Sequence, residues 1–218
     1  MASGCLLYYI TDRSQFRGGD HERRKLLIAK VGEAARAQVD YIQLREKDLN
    51  AHDLEALARE VVSEVREHSA STRVLINSRT DVALAAGADG VHLRGDDIAP
   101  DDVRRVLRIS NHHAKTSGHF LVAASCHSAA DVMRAASEAV DFVVIAPVFE
   151  KSSVPAAQAL GIAALREACK AGIPVLALGG VTLENATSCL SAGAAGVAGI
   201  RLFQENKIED VVRALRTK

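Results

Sequence analysis

Short runs of aliphatic and β-branched residues alternate along this chain with longer segments of helical periodicity. Leu6–Asp12 reads as a strand, followed by a helix over His21–Gln38 whose apolar positions are Leu27, Ile28, Val31 and Ala35. Tyr41–Glu46 is a second strand, and Ala51–His68 an amphipathic helix with Leu54, Leu57, Ala58, Val61 and Val65 on one face. The alternation continues through Arg73–Ser78, Asp81–Ala86, Gly90–Arg94, Asp101–Ile109 after Pro100, Phe120–Cys126 and Ala129–Ser137. It ends with Phe142–Val148, Ile162–Ala171, Pro174–Gly179, Leu183–Ala192, Val197–Arg201 and Ile208–Arg216. The polar segment Asn111–His119 and the stretch Glu150–Gly161 read as long loops.

Strands that are apolar on both faces and joined by helices run parallel, because a helical crossover returns the chain to the same end. Eight such strand–helix pairs close without edges into a single (β/α)8 TIM barrel, one domain over residues 1–218. A doubly wound open sheet is the competing arrangement. It would carry a glycine-rich G-x-G-x-x-G turn after the first strand, and Ile10-Thr11-Asp12-Arg13 is not one.

Lys plus Arg and Asp plus Glu balance at 27 each, and no basic run is interleaved with aromatics, which argues against nucleic-acid binding. No stretch has the uninterrupted apolar length of a membrane helix. The first residues lack the basic and apolar regions of a signal peptide, so a cytoplasmic location is expected. Cys5, Cys126, Cys169 and Cys189 are too scattered for a disulfide framework or a zinc site, and the last three read as small packing residues.

In such a barrel the loops after the strands build the site. By alternation Gln43, Arg45 and Lys47 face one way, toward the mouth, and form a clamp suited to a pyrophosphate or other polyanion. The plainer alternative pairs these charges with Glu46 and Asp48. Asn77 suits a phosphate oxygen or a substrate amine, whereas Ser78 or Thr80 would equally serve as a helix cap. In His92-Leu93-Arg94-Gly95-Asp96-Asp97 the acids suit Mg2+, with Asp97 the candidate ligand, or act as helix-capping charge. Ser125-Cys126-His127-Ser128 offers His127 as an acid or base, against a structural histidine. The glycine-rich ends around Gly179-Gly180 and Gly196 to Arg201 fall on the last two strands, the usual phosphate position in these barrels. His112, His113 and His119 lie in a polar stretch and read as a solvated loop rather than a metal site.

Several segments, in order, resemble the thiamin phosphate synthase family, which also contains the thiazole tautomerases. They are Tyr9-Ile10-Thr11-Asp12, Tyr41 to Lys47, Ile76 to Ala83, Gly87 to Leu93, Ser125 to Ser128, Pro147-Val148-Phe149 and Leu178 to Thr182. The resemblance implies coupling of hydroxymethylpyrimidine pyrophosphate with thiazole phosphate, through a methylene cation left when pyrophosphate departs. It implies Gln43, Arg45, Lys47 and Asn77 as pyrimidine and pyrophosphate contacts and Ser125 as a further pyrophosphate contact. Asp97 matches one of two Mg2+ carboxylates, and Gly179, Gly180, Ile200 and Arg201 fall at the thiazole phosphate. Two departures stand out: Ser78 replaces the family's second metal aspartate, and Val154 replaces the lysine of its Thr-x-Thr-Lys motif, with Lys151 nearby. A tautomerase using His127, with no metal, is the alternative. A non-catalytic binder of the same small phosphorylated compounds is a third. Homodimers occur among such relatives.

Overall fold

A computed structural model of the chain describes residues 4–109, 119–150 and 159–216. The strands are β1 (Leu6–Ile10), β2 (Tyr41–Leu44), β3 (Arg73–Asn77), β4 (Gly90–Leu93), β5 (Leu121–Cys126), β6 (Phe142–Ile145), β7 (Val175–Ala177) and β8 (Gly196–Gly199). Each pairs in parallel with its sequence neighbour, and β8 pairs with β1 to close the ring. The molecule is a (β/α)8 barrel, as the alternation of elements predicts.

The helices are α1 (Asp20–Arg36), α2 (Ala51–His68), α3 (Thr80–Ala86), α4 (Pro100–Ile109), α5 (Ala129–Ser137), α6 (Gly161–Ala168), α7 (Ala186–Ser191), α8 (Arg201–Gln204) and α9 (Ile208–Arg216). Local chemistry sets several ends. Asn50 and Ser128 accept from the backbone N–H three residues on, capping α2 and α5. Gly87 takes the left-handed conformation that ends α3. The face of α2 formed by Leu54, Leu57, Ala58, Val61 and Val65 is buried against the barrel.

Several expected boundaries move; β1, β2 and β7 stop short, at Ile10, Leu44 and Ala177. β6 stops at Ile145, just before Ala146 and Pro147, because proline has no N–H to extend a ladder. β8 ends at Gly199, and Ile200 and Arg201 lead into the short helix α8. Two helices are shorter than their periodicity suggests: α6 gives way to a 3-10 turn at Cys169–Ala171, and α7 spans Ala186–Ser191. Among the described residues no helix is long and apolar enough to cross a membrane. The cysteines are free, two of them fully buried, as small packing residues should be.

Two apolar cores result. The larger lies between strands and helices; the smaller fills the barrel itself. A barrel of this shear stacks its inward side chains in layers drawn from alternate strands. Following the strand register, the lowest layer is Tyr41, Gly90, Phe142 and Gly196. The two glycines leave room for the two rings to stack across the barrel at 4.7 Å. Tyr8, Leu75, Ala123 and Leu176 come next, and Tyr8 packs edge-on against both lower rings. Above them lie Gln43, His92, Val144 and Ala198, then Ile10, Asn77, Ser125 and Leu178 at the mouth. The side chains therefore change from aromatic to aliphatic to polar on the way up.

Candidate active site

Because all strands are parallel, their C-terminal ends share one rim. Arg45, Asn77, Ser125, His127 and Gly180 all belong to it.

On the β2–β4 side the site is made of side chains. Gln43 is buried within the barrel, Arg45 is half-buried above it, and Lys47 is exposed beyond. Glu46 and Asp48 do not neutralise them. Both carboxylates turn to Arg13, whose guanidinium meets Glu46 at 3.2 Å and Asp48 at 2.7 Å. Glu46 also accepts from the Thr11 hydroxyl at 2.6 Å, and the Thr11 oxygen accepts from the Arg45 N–H at 3.0 Å. The loops after β1 and β2 are thus locked together, with the Arg45 backbone fixed in the lock. Among the described residues no carboxylate forms an ion pair with Arg45 or Lys47. Repulsion from Arg45, with burial and Arg94 adding to it, lowers the Lys47 ammonium below its ordinary value. Such crowding of cations is unfavourable without an anion and favourable with one.

At the end of β4 the two neighbouring acids differ. Asp96 is exposed, whereas the Asp97 side chain is only 10% exposed. Burial opposes ionisation of Asp97. It is outweighed by the Arg94 N–H at 2.7 Å, the Arg94 guanidinium at 3.1 Å and the Ser78 hydroxyl, so the carboxyl sits below its usual range. Mg2+ binds through one or two carboxylates together with phosphate oxygens and waters. An ionised, partly buried Asp97 with the Ser78 hydroxyl beside it fits that modest demand. A separate group on α2, Glu64, Glu67 and His68, lies away from the mouth. Ser78 is not the cap of α3. It stands at φ 63°, and its oxygen accepts from the Asn77 amide at 3.0 Å; the cap position is Arg79.

At the end of β5, Ser125 lines a small cavity of about 200 Å3 together with Arg94 and Asp97. His127 is exposed; its Nδ1–H donates to the Ala146 carbonyl at 2.9 Å, leaving Nε2 facing outward. His92 is buried between the Tyr8 hydroxyl at 3.1 Å and the Ser125 hydroxyl at 2.8 Å. Burial lowers the imidazole to about 3, so it is neutral. Sequence reasoning passed over both His92 and Arg94, although they lie in the segment singled out for its acids.

The β7–β8 side is built from backbone. Gly179 and Gly180 both have positive φ, 92° and 66°. A Cβ on Gly180 would lie 2.7 Å from Phe149 Cβ and 2.8 Å from the Glu150 carbonyl, so only glycine fits. Asn185 holds the turn, donating to the Gly180 carbonyl at 2.9 Å and accepting from the Thr182 N–H at 2.8 Å. A cavity of about 840 Å3 opens here, lined by Gly179, Gly180, Ile200 and Arg201 among others. In a ring of eight strands β3 and β7 are opposite, so this cavity faces the cationic side across the mouth.

Lys151, Val154, His112 and His113 lie outside the described residues. His119 is exposed and engages Asp141 at 2.6 Å.

Comparison with known proteins places these features in a family. The profile of the family described as thiamine monophosphate synthase matches residues 7–203. The chain is 36% identical to the thiamine-phosphate synthase of Methanoculleus marisnigri, over 99% of this chain and 95% of that protein. It is 33% identical to that of Caldanaerobacter subterraneus subsp. tengcongensis, over 96% and 93%. Its fold superimposes on a thiamine phosphate pyrophosphorylase from Pyrococcus furiosus with a TM-score of 0.79, covering 99% and 95% of the two chains at 24% identity.

Proposed function

The chain belongs to the thiamine monophosphate synthase family, and on that premise we propose that it joins hydroxymethylpyrimidine pyrophosphate to thiazole phosphate, releasing pyrophosphate and thiamin phosphate. One observation carries the reading beyond the family name. The mouth has two anion-compatible sides, a cationic one at β2–β4 and a glycine-lined one at β7–β8. A reaction of two phosphorylated substrates needs both; a tautomerase acting on one phosphate needs a single side.

Gln43 and Asn77 hold the aminopyrimidine by its polar edge. Arg45, Lys47 and Ser125 grip the pyrophosphate, and Gly179, Gly180, Ile200 and Arg201 seat the thiazole phosphate. The methylene carbon–oxygen bond breaks, its electron pair leaves with pyrophosphate, and the thiazole nitrogen closes the new carbon–nitrogen bond. Cations that meet no carboxylate among the described residues favour charge that develops on the leaving group as the bond opens. Val144 and Ala198, beside Gln43 and His92, keep water from the carbon while it is cationic. Asp97 and the Ser78 hydroxyl would hold Mg2+, which supplies further neutralisation of the departing pyrophosphate.

The test is direct. The protein, both substrates and Mg2+ are mixed, and thiamin phosphate is followed as its fluorescent oxidation product. Formation that stops with chelator and resumes with Mg2+ supports the reading. No product, with exchange of thiazole carboxylate tautomers that His127→Ala abolishes, would replace it by the isomerase. Silence in both assays would leave a binding protein.

A further inference from the structure

His92 joins the second layer of the barrel to the mouth. Tyr8 lies below it and Ser125 above, and each hydroxyl reaches a different ring nitrogen. His92 is 2% exposed and Tyr8 fully buried. A hydroxyl can donate once and accept, whereas a neutral imidazole donates from one nitrogen and accepts at the other. The chain of three can therefore run in two directions, and burial selects between them.

If Tyr8 accepted from Nδ1–H, its own proton would need another acceptor, and among the described residues its hydroxyl has only His92 as a partner. A buried donor left unmade is the expensive case, while a spare lone pair is tolerated. Tyr8 O–H therefore donates to Nδ1. Nε2 then carries the hydrogen and donates to Ser125 Oγ. With its oxygen already accepting, Ser125 must direct its own O–H elsewhere, toward the mouth. A phosphate oxygen offers only acceptors, so this is the orientation that an anion requires.

We propose that His92 is a positioning residue whose tautomer, set by Tyr8, turns the Ser125 hydroxyl outward as a donor to a phosphate oxygen of the bound substrate. The inference rests on the reading above that Ser125 contacts pyrophosphate, and it adds the reason a serine there can act as a preset donor.

In the wild-type protein, nitrogen-15 spectra should show His92 neutral with its hydrogen on Nε2. The pair Tyr8→Phe/His92→Leu removes the relay without leaving the Tyr8 hydroxyl unpaired, and pyrophosphate affinity measured by calorimetry should fall about tenfold, the usual weight of a hydrogen bond to a charged group. In a Ser125→Ala background the same pair should change affinity no further, because the relay acts only through that hydroxyl. His92→Gln, whose amide can accept from Tyr8 and donate to Ser125, should retain more affinity than the pair. A wild-type Nδ1–H tautomer, an unchanged affinity in the pair, or equal losses with and without Ser125 would each overturn the proposal. Pyrophosphate binding governed by this cycle without thiamin phosphate formation would sink the synthase reading alone; turnover with unchanged pyrophosphate affinity in the pair would sink the relay alone.

Discussion

The two sides of the barrel mouth offer anions opposite kinds of surface. At β2–β4 the groups are long side chains: Arg45, whose backbone is fixed by a lock among Thr11, Arg13 and Glu46, exposed Lys47, and Arg94, which pairs with Asp97. At β7–β8 they are main-chain groups of a turn that glycine alone can form, pinned by Asn185. The first arrangement concentrates charge and can follow a leaving group as charge builds on it. The second is rigid and weakly charged, suited to a phosphate that is held but not transferred. The division matches the chemistry proposed, in which one phosphate group departs and the other serves only as a handle.

That contrast can be broken at either end. Arg45→Ala should have the largest effect, about a thousandfold fall in kcat/KM for the pyrophosphate substrate, since it removes a donor aimed at developing charge. KM for thiazole phosphate should stay unchanged when each substrate is varied in turn. An equal effect on both substrates would erase the distinction between the two sides.

Gly180→Ala should act in the mirror sense. The added methyl meets Phe149 Cβ at 2.7 Å in a backbone of positive φ. Strain of about 1–3 kcal/mol is usual for such a site. We expect roughly a thirtyfold rise in KM for thiazole phosphate, a lower Tm, and pyrophosphate affinity within about twofold of wild type by calorimetry.

Acid should expose a difference in stability. His92 in the folded protein refuses a proton down to about 3, while the unfolded chain takes one near 6.5. Between those values the unfolded state binds more protons, so stability falls as pH falls, by about 1.4 kcal/mol per unit for this residue. Urea titrations across that window should show this component of the slope vanish in His92→Gln. Its layer partner on β8 is Ala198, which brings no such sensitivity.

Glu46→Gln sharpens the comparison most gently. Arg13 keeps Asp48 and Asp20, so the fold survives. The Thr11 contact that fixes the Arg45 backbone is weakened, and kcat/KM should fall about fivefold, in keeping with one hydrogen bond lost in net terms. Steady-state rates with pyrophosphate substrate below saturation would measure it.

Much of this was readable from residue order. Period-two alternation put Gln43 inside the barrel, where β2 carries it; Arg45 and Lys47 lie past the strand's end at Leu44. The helix faces and the glycine turns followed from equally local rules. What escaped is non-local. Nothing near Glu46 in sequence shows that Arg13 takes its charge, since the partner lies on another strand's loop. His92 acquires its role only when Tyr8 and Ser125 arrive, 84 residues before it and 33 after. Ser78 misled because its composition suits a cap, whereas its backbone is left-handed. Ile200 and Arg201 read as strand because they extend a small-residue run, and only the turn into α8 shows where that run ends.

Side chains fill the barrel from the stacked rings of Tyr41 and Phe142 up to the layer of Ile10, Asn77, Ser125 and Leu178, so the site opens only at the rim. Whatever comes in must go out past the same charged lip. A newly made molecule blocks the next pair until it leaves, and clearing the rim becomes a step in its own right, on which the pace of the whole cycle can depend.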